Sequence, residues 1–447
     1  MNKLLILIFS MLLVGCGGSD SADNSPTNDI AECNRSDINS QLYCKLYADY
    51  LWYRELKTGV DPLAFSTPAA YLRQVIADRD RYSFVMTEQE YQDRYINAVF
   101  FGYGFATQRT DNNTALQVLY VFNAGSAAQQ GLRRADKITQ IDGISVAEWL
   151  SQLDAGTVTN DDIYGPNEEG VVRNFVWRKP NDTQQQADFV KGTVSTNTVM
   201  HRSVAAVGTK KVGYLVFNTF IELSETELEQ AFSYFAAQDI DELVLDVRYN
   251  GGGLIRVANQ LSSHIALARL QDNIFVKYRY NDKNTRKNST VTFALGAGRT
   301  QLNLPRVFVL TTAGSCSSSE LVINALSPFI DVVQIGETTC GKPVGQVPDR
   351  VGDFRLFAIN FQTVNALDFG EYFTGLMPNC PVTATVTGDW GVSSDPLYAE
   401  AVAYIANGSC SLVAISDQNA QLYSRAEPII EPNVEPVQPQ WLRYNEQ

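Results

Sequence analysis

Between residues 199 and 415, apolar strands alternate with amphipathic helices, and no other feature of the chain narrows its fold as far. Val212–Phe217 reads as a strand. A helix follows from Ser224, opened by the capping-box pattern Ser224–Glu227, and runs to about Ala237. Leu243-Val244-Leu245-Asp246-Val247 lacks polar alternation, as a strand covered on both faces does. Asn250-Gly251-Gly252-Gly253 ends it, and the spacing from Leu254 to Ala268 is again helical. Val307–Leu310 is the next strand, a helix spans Ser318–Leu326, and Val332–Gly336 closes the series. This alternation predicts an α/β core with parallel pairing.

The 447 residues leave room for about two further domains. Over 31–98, Leu42, Leu46, Tyr47, Tyr50, Leu51 and Tyr53 recur at helical spacing, as do Tyr71, Val75 and Ile76. They predict a small helical cap domain with the aromatic stripe as its core. Residues 99–198 read as short strands and turns, and 416–447 as an extended acidic tail with Pro428, Pro432, Pro436 and Pro439. A formal net charge of -14 repels phosphate backbones, so nucleic acid is not an expected partner.

Residues 1–15 read as a signal peptide: Lys3 precedes the apolar run Leu4–Val14, which is shorter than the roughly 20 residues a membrane span needs. Leu13-Val14-Gly15-Cys16 resembles a bacterial lipobox, which implies lipidation of Cys16, export, and a flexible tether over 16–30. Gly17, not Asp, follows Cys16, so a Gram-negative host would place the anchor in the outer membrane, facing the periplasm. An ordinary signal with an incidental cysteine is the alternative. Export leaves Cys33, Cys44, Cys316, Cys340, Cys380 and Cys410, an even set in an oxidising compartment. Spacing favours Cys33 with Cys44 and Cys380 with Cys410. With no CxxC pair and no His/Cys cluster, neither a metal site nor a cofactor is predicted.

Within 99–198, Leu116–Phe122 is a strand, Ala127–Leu132 a short helix with its glycine stop, and Asp136–Gly143 a strand ending in an Asp-Gly turn. This string resembles the hallmark of PDZ domains. Upstream, Gly102-Tyr103-Gly104-Phe105 resembles the PDZ carboxylate-binding loop, where successive backbone N–H groups make an anion nest beside a strand edge. The resemblance implies recognition of protein or peptide substrates by their free C-termini. A small β-domain without a ligand is the plainer reading.

The chemistry-bearing stretch is Thr312-Ala313-Gly314-Ser315-Cys316-Ser317-Ser318-Ser319-Glu320-Leu321, where a strand passes into a helix. A hydroxyl there sits at a helix N-terminus, whose free N–H groups favour an oxyanion. After the next strand comes Thr338-Thr339-Cys340-Gly341-Lys342-Pro343-Val344-Gly345-Gln346. A desolvated lysine can act as a general base. Helix capping by the serines and a solvated lysine are the structural alternatives. The only histidines are His201, near a domain junction, and His264, inside a predicted helix, so a histidine triad is disfavoured.

Three motifs in order carry a resemblance to the C-terminal processing (tail-specific) peptidases: Asp246–Gly253, Ser317-Ser318-Ser319-Glu320 and Gly341-Lys342. The resemblance implies a ClpP/crotonase-like catalytic core over 199–415 and a lipid-anchored serine endopeptidase. It makes Ser317 the nucleophile, Lys342 the base and Gln346 its orienting partner. Gly253 (or Gly252) and Ser318 would supply oxyanion N–H groups, and Glu320 and Thr339 would support the site. The acidic residue that some members carry after the nucleophile helix aligns with Pro328, and Asp331 nearby reads as structural. Cys316 and Ser318 depart from the family pattern, which leaves Ser315 and Ser319 as alternative nucleophiles. If Ser317 and Lys342 meet, Cys316 and Cys340 also approach, either as a disulfide or as two reduced apolar thiols. The competing function is a catalytically silent PDZ-containing binding lipoprotein or scaffold.

Overall fold

The computed structural model describes residues 36–411. The signal peptide, Cys16, Cys33 and the tail from 416 lie outside the described residues.

The central sheet has six strands in the order Val199–Val207, Lys210–Phe217, Glu242–Asp246, Arg306–Thr311, Asp331–Gly336 and Cys380–Pro381. The first two form an antiparallel hairpin, and every later pairing is parallel. Helices cover both faces. Leu243 and Leu245 pack with Leu228, Phe232, Val257, Leu261 and Val322 from the helices Ser224–Gln238, Ile255–Leu270 and Ser318–Leu326. Val244, Phe308 and Leu310 face Leu397, Ala401 and Ile405 of the helix Pro396–Asn407. Two-sided burial is the reason Leu243–Leu245 reads as an unbroken apolar run. The Cys380–Cys410 disulfide forms, with Cα atoms 5.5 Å apart, and ties the end of that helix to the last strand.

The predicted capping box at Ser224 does not form. Leu223 occupies the N-cap, and the Ser224 hydroxyl donates to the Thr219 carbonyl. Glu227 instead accepts from the N–H groups of Thr198 and Val199 and from the Thr198 hydroxyl. A carboxylate offered three donors by a neighbouring strand outweighs one local cap.

The cap is less independent than its helical pattern suggests. Its first helix, Ile38–Asp49, ends before Tyr50, and its second is Pro68–Val75. Leu42, Leu46, Tyr50, Tyr71 and Val75 share one core with Val344, Val351, Leu356 and Ile359, far along the chain. The strand Phe84–Thr87 then pairs antiparallel with Phe354–Phe357. A four-stranded antiparallel sheet, Ser289–Thr292, Ile274–Tyr280, Ile359–Val364 and Val344–Gln346, joins the cap to the core.

Residues 99–198 form an antiparallel unit along Phe105–Thr110, Ala115–Val121, Lys137–Ile141, Val172–Arg178 and Gln184–Val190, with the helix Val146–Asp154. Asp142 and Gly143, both at positive φ, make the expected turn. Arg134 fastens this unit to the core. Its buried guanidinium reaches Asp395 at 3.3 Å and lies 3.9 Å from the Trp390 ring. No helix among the described residues is long and apolar enough to cross a membrane.

Candidate active site

The strand Glu242–Asp246 delivers the glycine turn, and a buried charge cluster fixes where it lands. Arg248, wholly buried, contacts Asp246 at 2.7 Å and Asp395 at 2.8 Å, and Tyr214 donates to Asp246. Such an arginine is stabilising only while both carboxylates remain to pair it. Asn250 comes next. Its Nδ2 donates to the Phe217 carbonyl, its Oδ1 accepts from the Gly252 N–H, and its carbonyl accepts from the Cys316 N–H. The side chain thereby braces the glycine turn, and the backbone carbonyl of the same residue ties it to the serine loop.

Ser315, Ser318 and Ser319 complete that seam. Their hydroxyls donate to the carbonyls of Val247, Gly253 and Asn250. Ser315 and Ser319 are buried and committed to the backbone. Ser317, half-buried, faces the cleft instead. Its backbone has φ 55° and ψ -111°, a conformation costing non-glycine residues about 1–3 kcal/mol. The surrounding bonds hold it there. A Cβ on Gly252 would come 2.8 Å from the Ser317 Cβ, so only glycine fits beside Ser317.

Of the three N–H groups named for the oxyanion, Gly252 is excluded because it donates to Asn250 at 2.9 Å. The N–H groups of Gly253 and Ser318 have no hydrogen-bond partner among the described residues. Ser318 is the first residue of its helix, where free N–H groups are inherent.

Lys342 sits in the same cleft, almost fully buried. Its Nζ donates to Gln346 Oε1 at 2.8 Å. Both amide hydrogens of Gln346 are engaged, by the carbonyls of Tyr82 at 2.7 Å and Phe357 at 3.0 Å, so its oxygen must face the lysine. Burial pulls the Lys342 pKa down to about 8, against the opposing charges of Asp80 and Glu320. No hydrogen bond joins Ser317 Oγ to Lys342 Nζ directly.

Glu320 binds the two loops together. Fully buried, it accepts from the N–H groups of Ser317, Gly341 and Lys342 at 2.9, 2.7 and 2.8 Å and from the Thr339 hydroxyl at 2.5 Å. Thr339 in turn accepts from the Leu376 N–H. Burial raises the Glu320 pKa, and its donors oppose the rise. The Cys316–Cys340 disulfide adds a covalent clamp, with Cα atoms 5.2 Å apart. Replacing both cysteines by alanine is expected to lower unfolding free energy by about 3 kcal/mol from lost loop restraint. A denaturant melt checks this, and a non-reduced digest should yield the linked peptide.

The cleft, of about 450 Å³, is walled by Phe84, Tyr91, Tyr95, Tyr278, Phe357 and Phe361. His264 stacks on Phe232 and bonds to the Thr300 carbonyl, and His201 bonds to Ser203, so neither histidine serves Ser317. Sequence reasoning overlooked the cap's contribution. Tyr82 donates its hydroxyl to the Gly341 carbonyl, and Arg81 reaches the carbonyls of Cys340 and Phe373. The spacing Asp80-x-x-Ser83, a side-chain turn signature, was the available signal.

The Gly102–Phe105 loop lies between the strand Val99–Gly102 and the edge strand Phe105–Thr110. The Tyr103 and Gly104 carbonyls accept from Ala127 and Phe122, and their N–H groups have no partner among the described residues. A Cβ at Gly104 would lie 2.5 Å from the Gly125 Cα.

Residues 211–382 match the family model for peptidase family S41, and residues 37–84 the model for the peptidase S41 N-terminal domain. The chain is 24% identical over 281 residues to a carboxyl-terminal-processing protease of Picosynechococcus sp., covering 61% of this chain and 63% of the relative. It is 26% identical over 277 residues to the carboxy-terminal processing protease CtpB of Bacillus subtilis, covering 61% and 54%. The chain thus spans less than two thirds of the length of these relatives. A crystal structure of a Bacteroides fragilis protein assigned to the S41 proteases superposes with a TM-score of 0.66 at 25% identity, covering 83% of this chain and 97% of that one.

Proposed function

We propose that this chain, which belongs to peptidase family S41, is a serine endopeptidase of the C-terminal processing type working through Ser317 and Lys342. The observation that carries the reading is Lys342: a buried amine with a lowered pKa, aimed by Gln346 into the cleft that Ser317 faces. Neutral Lys342 takes the Ser317 proton as Oγ attacks a peptide carbonyl. The N–H groups of Gly253 and Ser318, without a partner among the described residues, receive the oxyanion. Protonated Lys342 then gives its proton to the leaving amine, and water hydrolyses the acyl-enzyme. Glu320 and Thr339 keep the two loops in register. The parallel sheet with helices on both faces supports a ClpP/crotonase-like reading of the core.

The 99–198 unit is read as a PDZ domain that takes substrate C-termini. The N–H groups of Tyr103 and Gly104, without a partner among the described residues, and the edge position of Phe105–Thr110 in its sheet support this. The sequence around Cys16 supports export and lipid anchoring to a bacterial membrane. The test is hydrolysis of an unstructured protein by purified chain beside Ser317→Ala. Turnover is expected only with Ser317, and peptides with a free C-terminus should be cleaved faster than their amidated forms. Identical behaviour of the two proteins would instead fit a silent binding scaffold, and equal rates for acid and amide would remove the PDZ role.

A further inference from the structure

The cap places a second buried carboxylate behind the lysine, and neither the sequence motifs nor the mechanism above uses it. Asp80 is 7% exposed. Its Oδ1 accepts from the N–H groups of Tyr82 at 2.8 Å and Ser83 at 2.9 Å. Its Oδ2 accepts from the hydroxyls of Tyr50 at 2.7 Å and Ser83 at 2.5 Å. These four donors hold residues 80–83 in one conformation, and that conformation aims the Tyr82 carbonyl at Gln346 Nε2.

We propose that Asp80 is a positioning residue for the general base, acting through the Tyr82 carbonyl and Gln346 to hold the Lys342 amine toward Ser317. The inference rests on the Ser317–Lys342 reading. The path is continuous: Asp80 to the Tyr82 turn, the Tyr82 carbonyl to Gln346 Nε2 at 2.7 Å, and Gln346 Oε1 to Lys342 Nζ at 2.8 Å. A second strut runs beside it, from the Tyr82 hydroxyl to the carbonyl of Gly341, next to the lysine. The Tyr82 ring lies 5.6 Å from Lys342 Nζ. Hydrogen-bond geometry is steeply angular, so a turn that shifts by half an ångström loosens the amide and then the amine. The cap thereby completes the active site.

The charged and titratable groups facing Lys342 are Asp80 and Tyr82 from the cap and Glu320 from the nucleophile helix; Arg81 contacts the base loop at Cys340. The Asp80 charge favours the protonated lysine and opposes burial. Removing that charge should lower the lysine pKa further.

The experiment compares wild type, Asp80→Asn and the Ser317→Ala blank, all as full chain, by kcat, KM and pH profile, with melts to count folded molecules. Asp80→Asn is expected to lose about tenfold in kcat per folded molecule with KM nearly unchanged. The midpoint of its pH profile is expected below that of wild type. A wild-type kcat, an unshifted midpoint, or a loss equal to the unfolded fraction each overturns the proposal. Should Asp80→Asn fail to fold, Tyr50→Phe removes one of the four donors to Asp80, together with the acceptor of the Ala77 N–H, and is expected to lower kcat per folded molecule about threefold at constant KM. An unchanged kcat there overturns the proposal equally. Wild type no more active than Ser317→Ala would overturn the protease reading itself, an outcome distinct from the others.

Discussion

Replacing Lys342 with methionine is expected to lower kcat about 10³-fold, the scale of a lost general base, while KM changes little. Methionine fills the buried space of the lysine stem but cannot take the Ser317 proton. In the wild type, kcat/KM should rise with pH through about 8 as Lys342 deprotonates. No limb is expected at the ordinary histidine value of about 6.5, because His201 and His264 are held elsewhere. The same lysine makes stability depend on pH with a definite sign. Its folded pKa lies below the ordinary lysine value of 10.5, so the unfolded chain binds more protons between about 8 and 10.5. Stability therefore rises with pH across that window, by up to about 3 kcal/mol at roughly 1.4 kcal/mol per pKa unit. Below pH 8 the folded state must bury the cation. Lys342→Met should accordingly melt higher than wild type at pH 6, and the difference should shrink toward pH 10. Full activity in that variant would sink the Ser–Lys assignment, and a pH-independent difference in melting would sink the account of burial.

Glu320→Gln should also cost activity, about tenfold less than Lys342→Met, without touching a reacting atom. One carboxylate oxygen accepts from Ser317 and Lys342 N–H, the other from Gly341 N–H and the Thr339 hydroxyl. An amide nitrogen at either position faces at least one buried backbone donor, since Thr339 can rotate its hydroxyl but Gly341 cannot turn its N–H. The expected destabilisation is about 2–4 kcal/mol, from one or two unsatisfied groups and a repulsive contact. The Ser317 and Lys342 backbones hang from this one side chain, so kcat per folded molecule should also fall about 10²-fold. Stopped kinetics on refolded, melt-checked protein separates the two effects. A variant that loses stability yet keeps wild-type kcat would reduce Glu320 to a structural buttress.

The elements easiest to read in the sequence are those whose signal is local. The helix Ser318–Leu326 and the strand Glu242–Asp246, with its run Leu243–Leu245, announce themselves by periodicity and unbroken apolarity. The Asn250–Gly253 turn announces itself by glycines that nothing larger can replace beside Ser317 and Phe220. The Ser224–Glu227 box is the instructive failure. Its pattern is local, but Glu227 finds stronger donors on a strand that the local sequence does not contain. The sheet joining cap and core went unread for a similar reason. Its strands Ile274–Tyr280, Val344–Gln346 and Ile359–Val364 are scattered along the chain, and they pair across long separations.

Residue type and order by themselves determined the α/β alternation, the serine at a helix start, the lysine beyond the next strand, and the glutamine four residues further on. They left three serines as candidates and two cysteines as either thiols or a bridge. Only the tertiary structure decided those. Hydroxyl direction separates Ser317 from Ser315 and Ser319, because the latter two meet backbone carbonyls of the Val247–Gly253 segment. Proximity of two loops makes the Cys316–Cys340 bond. Desolvation of Lys342 likewise comes from the walls of a cleft assembled from the cap, the sheet and the core. A pKa or a hydrogen-bond partner is a property of the surroundings in space, and a chain read in one dimension does not contain them.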